Sequence, residues 1–171
     1  MSTDKKTTDS KMSGMSGGAM VGKADSDFMM KAAMGGMMEM QLAQAAQQKA
    51  SSQEVKDLAR KIEQDHKQAS DKLKAIAAER HVDLPATMGP EHEKMMAKVT
   101  GLTGEEFDRA YTKLMVADHK KDIREFEKAV NRSMDSDLKN FASATLPSLK
   151  EHLTSAQQLS TSTRSRAADK K

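Results

Sequence analysis

Glu39, His66, His119 and His152 are metal-ligating residue types, and each falls on the apolar stripe of its own helical segment. Buried ionisable groups are expensive unless they are paired, hydrogen-bonded or bound to metal. Brought into one layer, the four would offer three imidazoles and one carboxylate. That donor set suits zinc, copper, iron or nickel and is poor for calcium or magnesium. Asp65, Asp118 and Asp122 lie close enough in sequence to orient the imidazoles from behind. Asp122, three residues after His119, could instead be a direct ligand. The same groups could also form a metal-free polar layer of histidine–carboxylate pairs that specifies which helices face each other, provided every member is satisfied. His81 and His92 lie in a connection and are expected to be exposed.

The periodicity predicts four helices to carry these residues. The first runs from about Ser26 to Ala50, capped by Asp25 or Ser26, with Phe28, Ala32, Gly36, Glu39, Ala43, Ala46 and Ala50 on one stripe. Gly35-Gly36 inside it costs about 1 kcal/mol per glycine relative to alanine. Such a pair points to a close helix approach or to room for a bulky side chain opposite. Ser51-Ser52-Gln53-Glu54 reads as a capping box opening a second helix to about Arg80, with Val55, Leu58, Ala59, Ile62, His66, Ala69, Leu73 and Ile76 on its inner face. Residues 81–102, with Pro85, Gly89, Pro90 and Gly101, form the long connection and contain a short helical pattern at Glu91–Val99.

Thr103-Gly104-Glu105-Glu106 reads as a second capping box, followed by Phe107, Tyr111, Met115, His119, Ile123, Phe126 and Val130 on one face. After a turn near Ser133–Asp135, the last helix shows Leu138, Phe141, Thr145, Leu149, His152, Ala156 and Leu159. Pro147 within it should kink it and free the carbonyl of Ser143. The expected fold is therefore all-α: an antiparallel four-helix bundle with a long connection between the second and third helices, spanning residues 25–161. Residues 1–24, rich in Met, Ser, Gly and Lys, and the basic residues 162–171 read as disordered tails. Two faint echoes suggest related hairpins. Asp65-His66-Lys67 matches Asp118-His119-Lys120, and the run from Ser52 matches the run from Asp135.

Counting from the turns tests whether the four groups share a level. Glu39 precedes the first turn by about 12 residues and His66 follows it by about 14, a mismatch of roughly 3 Å. His119 and His152 stand about 15 and 18 residues from the second turn, a mismatch of roughly 4–5 Å. Side chains can span both offsets.

Composition narrows the remaining classes. The 171 residues suit one domain burying roughly 70% of its unfolded surface. The chain has no cysteine, which excludes disulfides, thiolate metal sites and thiol catalysis. A net charge of +3 concentrated in the tails, with four Phe and one Tyr, offers no nucleic-acid platform, so no nucleic-acid partner is expected. No stretch approaches the length of a transmembrane helix, and the N-terminus has no apolar signal-peptide core. Fifteen methionines are conspicuous. Met12, Met15 and Met20 lie in the tail, and Met29, Met30, Met34, Met37, Met38 and Met40 crowd the first helix. Thioethers select Cu(I). The simpler reading is adaptable core packing beside the glycine pair, and an oxidation sink is a third.

The segments Asp27-Phe28, Ala32–Glu39, Lys49–Ser52, Asp65-His66-Lys67, Phe107–Tyr111, Met115–His119, Thr145-Leu146-Pro147 and His152-Leu153 resemble the DUF4142 family of bacterial proteins. The resemblance covers about residues 26–160. It implies a ferritin-like bundle and a periplasmic or otherwise extracytoplasmic location, with cytoplasmic as the alternative. It implies no defined activity. A di-iron carboxylate centre needs Glu-x-x-His on two helices. Glu63–His66 supplies it once, but Val116 and Leu149 occupy the matching positions before His119 and His152. A ferroxidase is therefore not expected. The expected function is a non-enzymatic bundle with a transition-metal site (zinc, copper or iron) in envelope stress or metal handling. The alternatives are a structural or partner-binding bundle and a mononuclear metalloenzyme. Protein partners and oligomeric state are left open.

Overall fold

The computed structural model describes residues 21–168, with side chains to residue 165. Of the expected tail at residues 1–24, residues 1–20, with Met12, Met15 and Met20, lie outside them, whereas Lys23 and Ala24 already belong to the first helix. Five helices follow in order: α1 Lys23–Lys49, α2 Gln53–Glu79, α3 Pro90–Thr100, α4 Gly104–Arg132 and α5 Ser136–Ala168. Among the described residues there is no strand, only an isolated bridge between Ala50 and Gly104. The fold is all-α with one helix more than the four expected. The addition, α3, occupies the long connection where the short pattern at Glu91–Val99 stood. Pro90 at its first turn presets the helical φ there, and Gly89 turns the chain into it at φ +82°.

Helix ends differ from the sequence expectations for identifiable reasons. α1 starts after Gly22, which makes no side-chain cap, so Asp25 and Ser26 lie inside the helix. The cap of α2 is Ser52, whose hydroxyl accepts from the Val55 amide at 3.4 Å. The expected box starting at Ser51 is displaced because Ser51 is taken by a tertiary acceptor. Its amide donates to Asp108 of α4 at 3.0 Å, its hydroxyl donates to the same carboxylate, and the Ser52 amide joins them at 2.9 Å. Thr103 heads α4 without a side-chain cap, because Gly104 adopts φ +61°, outside the geometry a capping box needs. α5 runs through Pro147 and on to Ala168, so residues 162–168 of the segment expected as a disordered basic tail at 162–171 continue the last helix, while 169–171 lie outside the described residues.

α1 pairs with α2 and α4 with α5, each across a short turn. The two hairpins meet through α2 on α5 and α1 on α4, and α3 covers α1 and α4. They also clasp each other's turns. Asp108 of α4 holds the α1–α2 turn, while Arg80 at the end of α2 bonds Asp135 at 2.6 Å and also Asp137 beside the α4–α5 turn. Asp135 in turn caps α5, accepting from the amides of Asp137 and Leu138 at 2.9 and 3.0 Å.

The interior divides into two apolar clusters. One holds Met38, Leu42, Val55, Ile62, Phe107, Tyr111, Met115 and Ala156; the other holds Phe28, Met29, Leu73, Ile123, Phe126, Leu138, Phe141 and Leu149. On α2, α4 and α5 the histidine stands between the stretches that feed the two clusters, and on α1 Glu39 adjoins Met38. Met29, Met38 and Met115 are fully buried in these clusters, so they serve as core packing. No described helix is long and apolar enough to cross a membrane.

Candidate metal centre

Each of the four long helices contributes one side chain to a buried polar layer. Glu39 and His119 are 0% exposed, His152 1% and His66 8%. The ligand nitrogens of the three histidines lie within 4.8 Å of one another. Glu39 stands between two of them, with Oε2 2.8 Å from His66 Nε2 and Oε1 3.1 Å from His119 Nδ1. His119 Nε2 is 3.2 Å from His152 Nδ1, and His152 Nε2 is 2.8 Å from Asp65 Oδ2. The residues expected to share a layer are therefore brought together.

The proton positions follow from the acceptors. His119 Nδ1 faces the Met115 carbonyl at 3.0 Å as well as the Glu39 carboxylate, so it carries the hydrogen and Nε2 is left with its lone pair. His152 donates through Nε2 to Asp65, so its Nδ1 is likewise a bare lone pair. Burial lowers the pKa of both rings, that of His152 to about 4 with the neighbouring His119 adding to the effect. Both are neutral at physiological pH. Two imidazole lone pairs then face each other across 3.2 Å.

Burial alone would raise the pKa of Glu39, but His119 and His66 overcome it and hold the carboxyl at about 2. Burial opposes the charge on His66, yet Glu39 raises its pKa above the ordinary histidine value. This close pair is not aligned as a hydrogen bond: both Glu39 oxygens and His66 Nε2 lack a hydrogen-bond partner, despite the short contact. The Tyr111 hydroxyl is also buried and unpartnered, and burial together with the Glu39 charge raises its pKa.

Asp65 stands behind His152, with Oδ2 2.8 Å from Nε2, and is tied to Lys61 at 3.2 Å. Asp118 and Asp122 are placed differently. Neither bonds an imidazole; with Glu39 they form a second cluster whose carboxylate oxygens lie within 4.8 Å of one another. Burial and the Glu39 charge raise both, Asp118 to about 6 and Asp122 well above the usual carboxylate range. One residue before and three residues after His119, these carboxylates lie toward Glu39 of α1 rather than behind the His119 ring, and Asp122 is not in the cluster of imidazole nitrogens that its i+3 spacing suggested it could join as a direct ligand. His92 is half-buried rather than exposed, with Nδ1 2.9 Å from the Met88 carbonyl, and it lines a cavity with Asp122. Exposed His81 adopts φ +54°.

The glycine pair lines the layer. A Cβ on Gly36 would lie 3.7 Å from His66 Nδ1, and one on Gly35 3.8 Å from the Asp122 carboxylate. Both glycines therefore face site residues, with room for a methyl group and little more. A cavity of about 110 Å³ between α2 and α5, lined by Asp65, His66, Lys72, Thr145, Ser148 and His152, connects His66 and His152 with the surface.

A model of the domain of unknown function DUF4142 matches residues 10–159. Among solved structures, a DUF305 fragment from Deinococcus radiodurans is similar at 14% identity and a TM-score of 0.73, covering 82% of this chain and 97% of that one. CopM in its Cu(II)-bound form is similar at 18% identity and a TM-score of 0.70, covering 81% of this chain and 96% of that one. At these identities the likeness is one of fold. No curated protein sequence matches the chain.

Proposed function

We propose that this chain, which belongs to the DUF4142 family, binds one transition-metal ion through His66, His119, His152 and Glu39. We read the four long helices as a ferritin-like four-helix bundle with α3 as an elaborated connection. The protein handles metal in an extracytoplasmic compartment rather than catalysing a reaction. The observation that carries this reading is the pair of imidazole lone pairs facing each other at 3.2 Å. Without a cation they repel. Around an ion with bonds of about 2.0 Å, two tetrahedral nitrogen ligands sit roughly 3.3 Å apart. The misaligned Glu39–His66 contact fits the same picture, because ligands aim at a shared centre rather than at each other. Asp65 and the Met115 carbonyl supply the outer hydrogen bonds that fix each tautomer for ligation.

Copper and zinc both suit this donor set. The similar fold of CopM, solved with Cu(II), makes copper the first metal to test. Metal analysis of protein purified without a histidine tag should find one equivalent bound, lost in a His119→Ala/His152→Ala double variant. No bound metal, together with no affinity for copper or zinc tighter than about 1 μM, would sink the reading. A metal-free polar layer is the second reading, favoured by the 2.8 Å His66–Glu39 and His152–Asp65 contacts. It predicts that the double variant loses thermal stability with no change in metal uptake.

A further inference from the structure

The three-carboxylate cluster around Glu39 is a separate feature from the histidine triad. Glu39 stands at the junction of the two groups: it sits with Asp118 and Asp122 and, though outside the cluster of three imidazole nitrogens, contacts His66 at 2.8 Å and His119 at 3.1 Å. Asp118 is 5% exposed, and its Oδ2 is buried without any hydrogen-bond donor. Neither Glu39 oxygen receives an aligned donor. Buried carboxylate oxygens without donors are rare in folded proteins because each forfeits its hydration. Three carboxylates also repel one another in a low-dielectric interior. Lys121 and His92, the basic side chains beside Asp118, do not bond these oxygens: Lys121 is exposed and His92 turns its Nδ1 to the Met88 carbonyl. The imidazoles of His66 and His119 contact Glu39. A cavity of about 40 Å³ bounded by Lys31, Gly35, His92, Lys121, Asp122 and Glu125 leads to this cluster from the opposite side to the α2–α5 cavity.

We infer that Glu39, Asp118 and Asp122 hold a second, harder divalent cation, with Glu39 bridging it to the ion in the histidine triad. This rests on the triad being a metal site. The two halves differ in donor chemistry. The nitrogen side suits copper or zinc, whereas an all-oxygen set suits manganese-like ions that keep some water, for which the cavity has room. The centre is then an unsymmetrical pair whose two positions take different metals. A di-iron centre built on paired Glu-x-x-His motifs would instead be close to symmetrical.

The test uses full-length, tag-free protein. Load it with one equivalent of Zn(II), titrate with Mn(II), and count free Mn(II) by electron paramagnetic resonance. One Mn(II) should bind with zinc retained. Asp118→Asn and Asp122→Asn, which keep shape and are checked for helicity, should each weaken Mn(II) by about 10-fold or more while still binding zinc. With Cu(II) in place of Zn(II), bound Mn(II) should broaden or abolish the copper signal through the Glu39 bridge. Mn(II) that fails to bind, displaces the zinc, or binds both variants as well as the parent overturns the second position and leaves the triad reading standing. Failure of zinc and copper themselves to bind removes the triad reading, and the bridged pair with it.

Discussion

His152 shows how one ring can be set by its surroundings. Its folded pKa of about 4 lies below the free value of 6.5, so the folded state holds fewer protons and acid favours unfolding. Its contribution is complete above pH 6.5 and is lost as pH falls from there toward 4, by at most about 3 kcal/mol. Asp118, raised to about 6, acts in the opposite sense, because the folded state gains its proton first. The comparison is therefore between wild type and His152→Gln, both metal-free, by urea denaturation from pH 7 to 4. The variant should lack the acid loss that His152 contributes, and parallel curves would contradict this. Asp65 sets the tautomer of the same ring through the 2.8 Å contact. Asp65→Asn should weaken metal binding by roughly 10- to 100-fold while leaving the fold intact, as read by metal titration and circular dichroism.

At the scale of elements, hairpin ends and helix contacts decide stability. Asp108 accepts three hydrogen bonds from the α1–α2 turn while being 2% exposed. Asp108→Ala should cost about 3 kcal/mol, since it strands the buried Ser52 amide and removes two further bonds from Ser51, and the loss is measurable as a lower denaturation midpoint. The glycine pair in α1 leads to the opposite expectation. The missing Cβ atoms would meet Asp122 and His66 at ordinary contact distance, so alanine fits. Gly35→Ala and Gly36→Ala should each leave the fold unchanged or gain up to about 1 kcal/mol from helix propensity. Leucine at Gly36 should push into His66 and lower both stability and metal binding. The pair in the sequence pointed to a close helix approach or to room for a bulky side chain opposite, and which side chains lie there is a matter of helix rotation. For the same reason, the cap at Ser52 and the α1–α2 latch were not legible locally, because Asp108 lies 57 residues from Ser51.

In the whole molecule, a polar layer lies among two apolar clusters and ties both hairpins together. A ligand that binds the folded layer alone stabilises all four long helices at once. At a free metal concentration a hundredfold above Kd the gain is about 2.7 kcal/mol, or roughly 5–10 °C in Tm for a chain of this size. Calorimetry with copper and then with a chelator should show a rise of that order and its reversal. A Tm indifferent to metal would count against the core site. The two cavities, one on each side of Glu39, give the layer separate approaches from solvent.

The all-α class, the long helices and the meeting of Glu39, His66, His119 and His152 were legible in the sequence. A 3.6-residue stripe and the count of residues from each turn determine which face and which height a side chain occupies. The additional helix, α3, was visible as a short pattern, but its packing on α1 and α4 was not. Only the tertiary structure decided that Asp118 and Asp122 turn toward Glu39 while Asp65 alone backs an imidazole. Periodicity gives the direction of a residue about its own helix axis. Which carboxylate meets which ring depends on the rotation and offset of one helix against another, and those are set by the packing of the whole interior.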